Sequence, residues 1–185
     1  MLGVLKDIDY WLFELINQKL SANWLDGPME ILSNKFVWIP FYALLLFLII
    51  RTFKAKSWLY IIALIATVAS TDLISSKVFK PGVKRTRPCN IEELNPRLPI
   101  GHSHSYGFVS SHAANHTAIA VFIILVFSLS GYKKYGLIIW AVAISYSRVY
   151  LGKHFFFDVF AGALLGVLLA LFWIKILNLI QKKLN

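Results

Sequence analysis

The chain has 185 residues, 58% of them apolar and only 15% charged, and its mean hydropathy of +0.65 lies far from the balance of a water-soluble domain. Its formal net charge of +10 sits in short loops between apolar runs and forms no basic face, which argues against nucleic acid as a partner. A lone cysteine, Cys89, excludes an internal disulfide and a multi-cysteine metal site, so the chain reads as one integral membrane domain over residues 1–185.

Taken in chain order, the first element is an N-terminal helix in which Leu5, Ile8, Leu12, Leu15 and Ile16 recur at helical spacing with Lys6, Asp7, Glu14 and Lys19 between them. That pattern predicts an amphipathic helix lying on the membrane surface. Asp7, Asp9 and Glu14 interrupt the apolar positions and no small-x-small site follows, so the segment is expected to persist and not to be removed as a signal peptide.

A spanning helix needs about 20 mostly apolar residues. Five segments qualify: Phe36 to Ile50 with an N-terminal extension towards Pro28, Trp58 to Ser76, Ala113 to Ser130, Tyr135 to Tyr150, and Phe155 to Leu179. Pro40 is a candidate kink in the first. In the last, Gly162 and Gly166 form a small-xxx-small pair suited to close helix contact. The predicted fold class is all-α, a polytopic membrane bundle of about five transmembrane helices plus the interfacial helix.

Alternating these spans puts the N-terminal region, the 77–112 connection and the 147–154 loop on one side. The other side then carries Arg51, Lys54, Lys56, Lys133, Lys134, Lys175, Lys182 and Lys183 and no acidic residue, and the positive-inside rule makes it cytoplasmic. The opposite side holds the rest of the 19 Lys and Arg and all nine Asp and Glu. Many of those bases fall in candidate chemistry, which would hold them there whatever the topology, so the expected location is the cell (inner) membrane, with the site on the outer, periplasmic face. The 77–112 connection is itself long for a helix bundle, and loops beyond about a dozen residues are commonly functional.

Three clusters share that face. Lys80, Lys84, Arg85 and Arg87 lie within eight positions, and Pro81, Gly82 and Pro88 among them are expected to break a continuous helix, so that the backbone can fold around an anion. Arginine donates paired hydrogen bonds to a tetrahedral phosphate and lysine adds a movable charge. The plainer alternative is a polybasic loop resting on anionic headgroups, at about 1 kcal/mol per residue. Next, Val109-Ser110-Ser111-His112 opens an apolar run. A helix N-terminus exposes free N–H groups and partial positive charge, so these side chains can grip phosphate, although for this cluster alone ordinary serine capping, with His112 hydrogen-bonded in an interhelical cavity, is the commoner explanation. Finally, Ser147, Arg148, His154 and Asp158 precede the last span. If the chain is helical from His154, Asp158 lies one turn on and on the same face. A carboxylate on one imidazole nitrogen fixes the tautomer and leaves the other free to attack, and charged groups near bilayer depth are costly unless they serve function.

Metal binding is the rival chemistry. His102-x-His104, or His112 and His116 with Asp158, have ligand-like spacing, but the surrounding Lys and Arg would repel a cation. His102 and His104 read as an exposed loop, His116 as a packing or supporting residue inside its helix, and no metal or cofactor is expected.

The order Lys80-x6-Arg87-Pro88, Ser110-Ser111-His112, Ser147-Arg148-x5-His154-x3-Asp158 resembles the three-part signature of the type 2 phosphatidic acid phosphatase superfamily, which includes lipid phosphate phosphatases, glucose-6-phosphatase and vanadium haloperoxidases. The match covers residues 80–158. The middle motif departs from the usual Pro-Ser-Gly-His, with Val109 and Ser111 in place of Pro and Gly, and a serine resists torsions that glycine permits. The resemblance implies a metal-independent phosphatase acting on a membrane lipid through a phosphohistidine. His154 is implied as nucleophile, Asp158 as its orienting carboxylate and His112 as general acid and then base. Lys80, Arg87, Ser110, the Ser111 backbone and Arg148 are implied as the phosphate-binding groups. Candidate substrates are polyprenyl diphosphates, lipid A, phosphatidylglycerol phosphate and phosphatidic acid. Two alternatives stay open at this point: a lipid phosphotransferase using the same intermediate, and a non-catalytic protein that binds anionic lipid or transports an ion.

Overall fold

The computed structural model describes residues 2–184 and contains, in order, α1 (Leu2–Glu14), α2 (Asn23–Ser33), α3 (Ile39–Phe53), α4 (Ser57–Leu73), α5 (Lys80–Val83), α6 (Ser111–Val126), α7 (Gly131–Tyr150) and α8 (Phe156–Leu184). There are no strands among the described residues. Among the described residues two stretches are long and apolar enough to cross a membrane, the helical run Lys35–Asn90 and α8. The first is folded back on itself. Lys54 adopts φ +47° between α3 and α4. Phe53 stacks on Tyr60 at 3.6 Å, and Leu45 and Ile49 share a cluster with Ile61, Leu64 and Val68, so α3 and α4 run antiparallel.

At the centre stands α6, which buries Ala113, Ala114, Ala118, Ile119, Ala120, Phe122 and Ile123 around most of its circumference. A helix that is apolar all round belongs inside a bundle. Its closest partner is α8. A Cβ built on Gly162 would lie 2.5 Å from the Ser110 carbonyl oxygen, and one on Gly166 2.3 Å from that of Ala114, so the two backbones touch where only hydrogen atoms fit. The opposite face of α8 leaves Phe160, Leu164, Leu168, Phe172 and Leu179 exposed, as α3 leaves Leu44, Phe47 and Ile50. Apolar surface of that extent marks a surface made for lipid or another apolar partner.

Prolines and glycines behave differently from expectation in two places, at Pro40 and at Pro81 with Gly82. Pro40 lies in the first turn of α3, where its missing N–H costs nothing, and produces no mid-helix kink; Pro28 is inside α2. Pro81 likewise occupies the first turn of α5, which continues α4 through a π-helical stretch, Ile74–Phe79. The helix therefore persists through Gly82 and stops at Lys84, which takes the left-handed conformation, so only the residues beyond it form the irregular strap. Between α7 and α8, Gly152 has φ +74°, a torsion that favours glycine, and a built Cβ would lie 3.1 Å from the Arg97 carbonyl oxygen and 2.9 Å from the Leu98 side chain.

The N-terminal helix is docked on the bundle. Phe13 is fully buried and packs with Phe155 and Val149. Beyond α1 the chain continues as a π-helical turn, Leu15–Lys19. There Asn17 donates to the Tyr150 carbonyl at 2.7 Å and to that of Arg97 at 3.0 Å, while Gln18 donates to the Leu94 carbonyl at 2.6 Å. These bonds tie α1 to the strap and to the end of α7.

Candidate active site

The strap, the start of α6, the end of α7 and the start of α8 meet at one end of the bundle. Lys80, at the end of the π-helical stretch, donates from Nζ to Ser111 Oγ at 3.0 Å, and Ser75 donates to the same oxygen at 2.8 Å. Ser110 is the N-cap of α6, as its placement before an apolar run predicts, with a long 3.5 Å contact to the Ala113 N–H. Its own N–H donates to the Asp158 carbonyl at 2.9 Å, which joins the α6 cap to the first turn of α8. His112, one residue into α6, lies within electrostatic reach of Arg148, His154 and Lys80.

His154 is 1% exposed and is not helical. It sits in the turn before α8, which corrects the expectation of one continuous helix from His154 to Asp158. The i, i+4 approach is nonetheless made, because Asp158 reaches back over the α8 N-terminus: Oδ2 accepts from the Phe155 N–H at 3.0 Å and lies 3.5 Å from His154 Nδ1, an electrostatic contact that leaves the buried Nδ1 without a hydrogen-bond partner. On the other ring face, Arg87 Nη1 is 3.1 Å from His154 Nε2. A guanidinium can only donate, so Nε2 carries the lone pair and the ring proton is on Nδ1, towards Asp158. Burial, and then the cations Arg87, Arg148 and Lys80, hold the His154 imidazole well below its ordinary range, which keeps it neutral.

Arg87 is fixed by three further bonds, from Nε to the Ser105 carbonyl at 2.7 Å, from Nη2 to Ser105 Oγ at 2.8 Å and from Nη1 to the Lys153 carbonyl at 2.9 Å. Arg148, in the last turn of α7, is buried and bonds through Nη1 to Ser33 of α2, while its Nε has no partner. An unpaired buried guanidinium N–H is costly, and a bound anion would satisfy it. Lys153 holds the strap down, donating from Nζ to the carbonyls of Gly101 at 2.6 Å and His102 at 3.1 Å.

His102 and His104 are exposed, and among the described residues no three His, Cys, Asp or Glu are placed to share an ion. His116 lies one turn beyond His112, the two rings stacked with centroids 6.1 Å apart. Its Nδ1 donates to the His112 carbonyl at 2.8 Å, and Tyr42 donates to Nε2 at 3.1 Å.

The geometry thus gathers all three sequence clusters around one buried imidazole, and residues 56–182 match the family model described as the PAP2 superfamily. The chain belongs to the PAP2 superfamily. Over 173 residues it is 34% identical to a lipid A 4'-phosphatase of Bacteroides thetaiotaomicron, covering 90% of this chain and 75% of that one. It is 37% identical over 171 residues to an undecaprenyl-diphosphatase of Sulfolobus acidocaldarius, with the same coverage. The crystal structure of a transmembrane PAP2-type phosphatidylglycerolphosphate phosphatase from Bacillus subtilis superimposes with a TM-score of 0.69 over 98% of this chain and 88% of that one; at 22% identity it shows a shared fold. The chain is accordingly a PAP2 phosphatase, a phosphoric ester hydrolase.

Asp9 and Gly107 carry no site signal in the sequence, and Arg85, one of the four clustered cations there, pairs with carboxylates in this PAP2 fold. Asp9, on α1, is 1% exposed; its Oδ2 accepts from Arg85 Nη2 at 2.5 Å and its Oδ1 from the Phe157 N–H at 3.0 Å. Burial raises the Asp9 carboxyl above its usual range, against the downward pull of Phe157 and Arg85. Arg85 Nη1 also reaches Asp158 Oδ1 at 2.8 Å. Gly107 closes the pocket from the strap, where a built Cβ would come within 3.0 Å of Asp158 Oδ2. Asp9 and Arg85 are 76 positions apart, so spacing carried no signal for their pairing.

Proposed function

We propose that this chain hydrolyses a phosphomonoester or diphosphate of a membrane lipid through a phosphohistidine on His154. The observation that carries the reading is the flanking of His154 by Arg87 at Nε2 and Asp158 at Nδ1. That arrangement supplies a neutral imidazole, a fixed tautomer and a cation at the attacking atom.

In this reading the substrate phosphate takes over the Arg87 donors and frees the Nε2 lone pair. Nε2 attacks phosphorus, the bond from phosphorus to the lipid oxygen breaks, and His112 protonates that oxygen as it leaves. Asp158 stabilises the positive charge that develops on the ring, whose Nδ1 keeps its proton. Neutral water then attacks the phosphohistidine, His112 takes a water proton, and the P–N bond breaks to release phosphate and His154. Lys80, Arg87, Arg148, Ser110 and the Ser111 N–H at the start of α6 bind the phosphoryl oxygens, whose charge grows in the transition state. Arg148 Nε, buried without a partner, supports that role.

A lipid tail has a natural place. A cavity of about 560 Å³ between α3, α4 and α6 is lined by Tyr42, Leu45, Leu64, Val68, His112 and Ile119 among others, and runs from apolar helix faces to the imidazole of His112. Helices α3, α4, α6, α7 and α8 span the membrane in this reading, α1 lies at its surface, and the site opens on the outer face. The exposed apolar surfaces of α3, α4, α7 and α8 support that arrangement.

Purified protein in detergent is expected to release phosphate from at least one member of a panel holding a polyprenyl diphosphate, lipid A, phosphatidylglycerol phosphate and phosphatidic acid. Release is expected to persist with chelator and to stop with vanadate. No turnover on the whole panel, with lipid binding intact, would contradict the hydrolase reading. Orientation is checked separately: a cysteine introduced at the exposed His104 position is expected to react with an impermeant thiol reagent in intact cells whose outer membrane is permeabilised. Protection until the inner membrane is opened would place the site on the cytoplasmic side.

A further inference from the structure

We infer that Asp9 and Arg85 are positioning residues for the reaction, an N-terminal carboxylate and a strap guanidinium that together aim Asp158 at His154. The inference rests on the hydrolase reading above.

Arg85 is shared between two carboxylates. Nη1 is 2.8 Å from Asp158 Oδ1 and Nη2 is 2.5 Å from Asp9 Oδ2. Each carboxylate spends its other oxygen on a free N–H at the start of α8, Asp158 on Phe155 and Asp9 on Phe157, both at 3.0 Å. Those N–H groups lack helical partners and carry the positive end of the helix dipole, so two anions satisfy them and one cation between the anions offsets the charge. The guanidinium also packs on an aromatic ring. It lies 4.4 Å over the Phe155 ring, and Tyr10 of α1 stacks on that same ring at 5.2 Å.

The consequence concerns rotation of the Asp158 carboxylate. With Oδ1 held by Arg85 and Oδ2 by the Phe155 N–H, the group cannot turn, and Oδ2 stays facing His154 Nδ1. If Asp9 is neutralised, Arg85 has one carboxylate left and draws on Asp158 alone, so less of that anion is available to orient and stabilise the imidazole. Both Nη atoms of Arg85 and both carboxylate oxygens of Asp9 are committed to these partners, so the loss falls on turnover and not on substrate binding.

The test compares phosphate release by the full chain, by Asp9→Asn, by Arg85→Gln and by the double variant on the best lipid phosphate of the panel, each first shown by size exclusion to be folded. Asp9→Asn is expected to lower kcat about tenfold with KM within about twofold, and to cost nothing further in the Arg85→Gln protein, because Asp9 acts through Arg85. Arg85→Lys, which keeps the charge without the fork, is expected to fall between wild type and Arg85→Gln. Asp7→Asn, on the exposed face of α1, is expected to match wild type. An Asp9→Asn protein with wild-type kcat, or one whose loss is equal in both backgrounds, overturns this inference and leaves the hydrolase reading standing. A wild-type protein that releases no phosphate from any lipid overturns both.

Discussion

Replacing His154 by Gln is expected to lower phosphate release by roughly 10⁴-fold or more while the protein remains folded and still binds lipid phosphate. The size follows from the role. Loss of a general acid typically costs about 10² to 10⁴, because water can partly replace it, whereas the attacking atom of a covalent mechanism has no substitute in a water-poor site. Retention of the fold follows from the environment. His154 is buried by Arg87 and Asp158, which a glutamine amide can still meet as acceptor and donor respectively. The measurement is phosphate release from a detergent-dispersed lipid phosphate, paired with acid-labile, base-stable label on the protein after a brief reaction. Robust release from the variant, or equal label with and without His154, would remove the phosphohistidine.

The second large effect is structural. Gly166→Ala is expected to reduce the melting temperature steeply, at or beyond the upper end of the ~1–3 kcal/mol usual for overpacking, and to take activity with it. The added carbon would sit 2.3 Å from the Ala114 carbonyl oxygen and 3.0 Å from the Ala118 nitrogen, both backbone atoms that no rotamer change can move. The helices must therefore part, and α6 carries Ser110, Ser111 and His112 at its N-terminus. Gly136→Ala is the control: it lies in α7 with open space around it, and alanine there should add about 0.5–1 kcal/mol through helix propensity. Thermal melting of both variants in one detergent checks the pair. Equal melting temperatures would show that α6 and α8 are not held in backbone contact.

The contrast between those two glycines bears on what was legible beforehand. The spacing of Gly162 and Gly166 pointed to close helix contact, but a chance scatter of glycines reads the same, and only the oxygens of Ser110 and Ala114 against them distinguish the cases. Pro40 and Pro81 both signal interruption in the sequence, yet Pro40 falls in a first turn, where proline is tolerated, and Pro81 follows a π-helical stretch through which the helix runs on. Local chemistry was correct in kind there and wrong in position, because a helix start is set by where packing lets the helix begin.

What the sequence by itself determined is the apolar, all-helical class, the approximate places of the apolar helices and the three polar clusters, holding Lys80, Arg87, Ser110, Ser111, His112, Arg148, His154 and Asp158, that the fold brings to one end of the bundle. Those signals are local: hydrophobicity accumulates along a run, and each motif groups its charged or hydroxylated residues within about a dozen positions. Only the tertiary structure decided that α1 enters the site, that Arg85 bridges Asp9 and Asp158, and that Ser33 of α2 holds Arg148. Each of these joins side chains separated by 73 to 115 positions, where sequence spacing constrains nothing. The cost of burying an unpaired charge demands partners of this kind, but which residues provide them depends on how the helices pack.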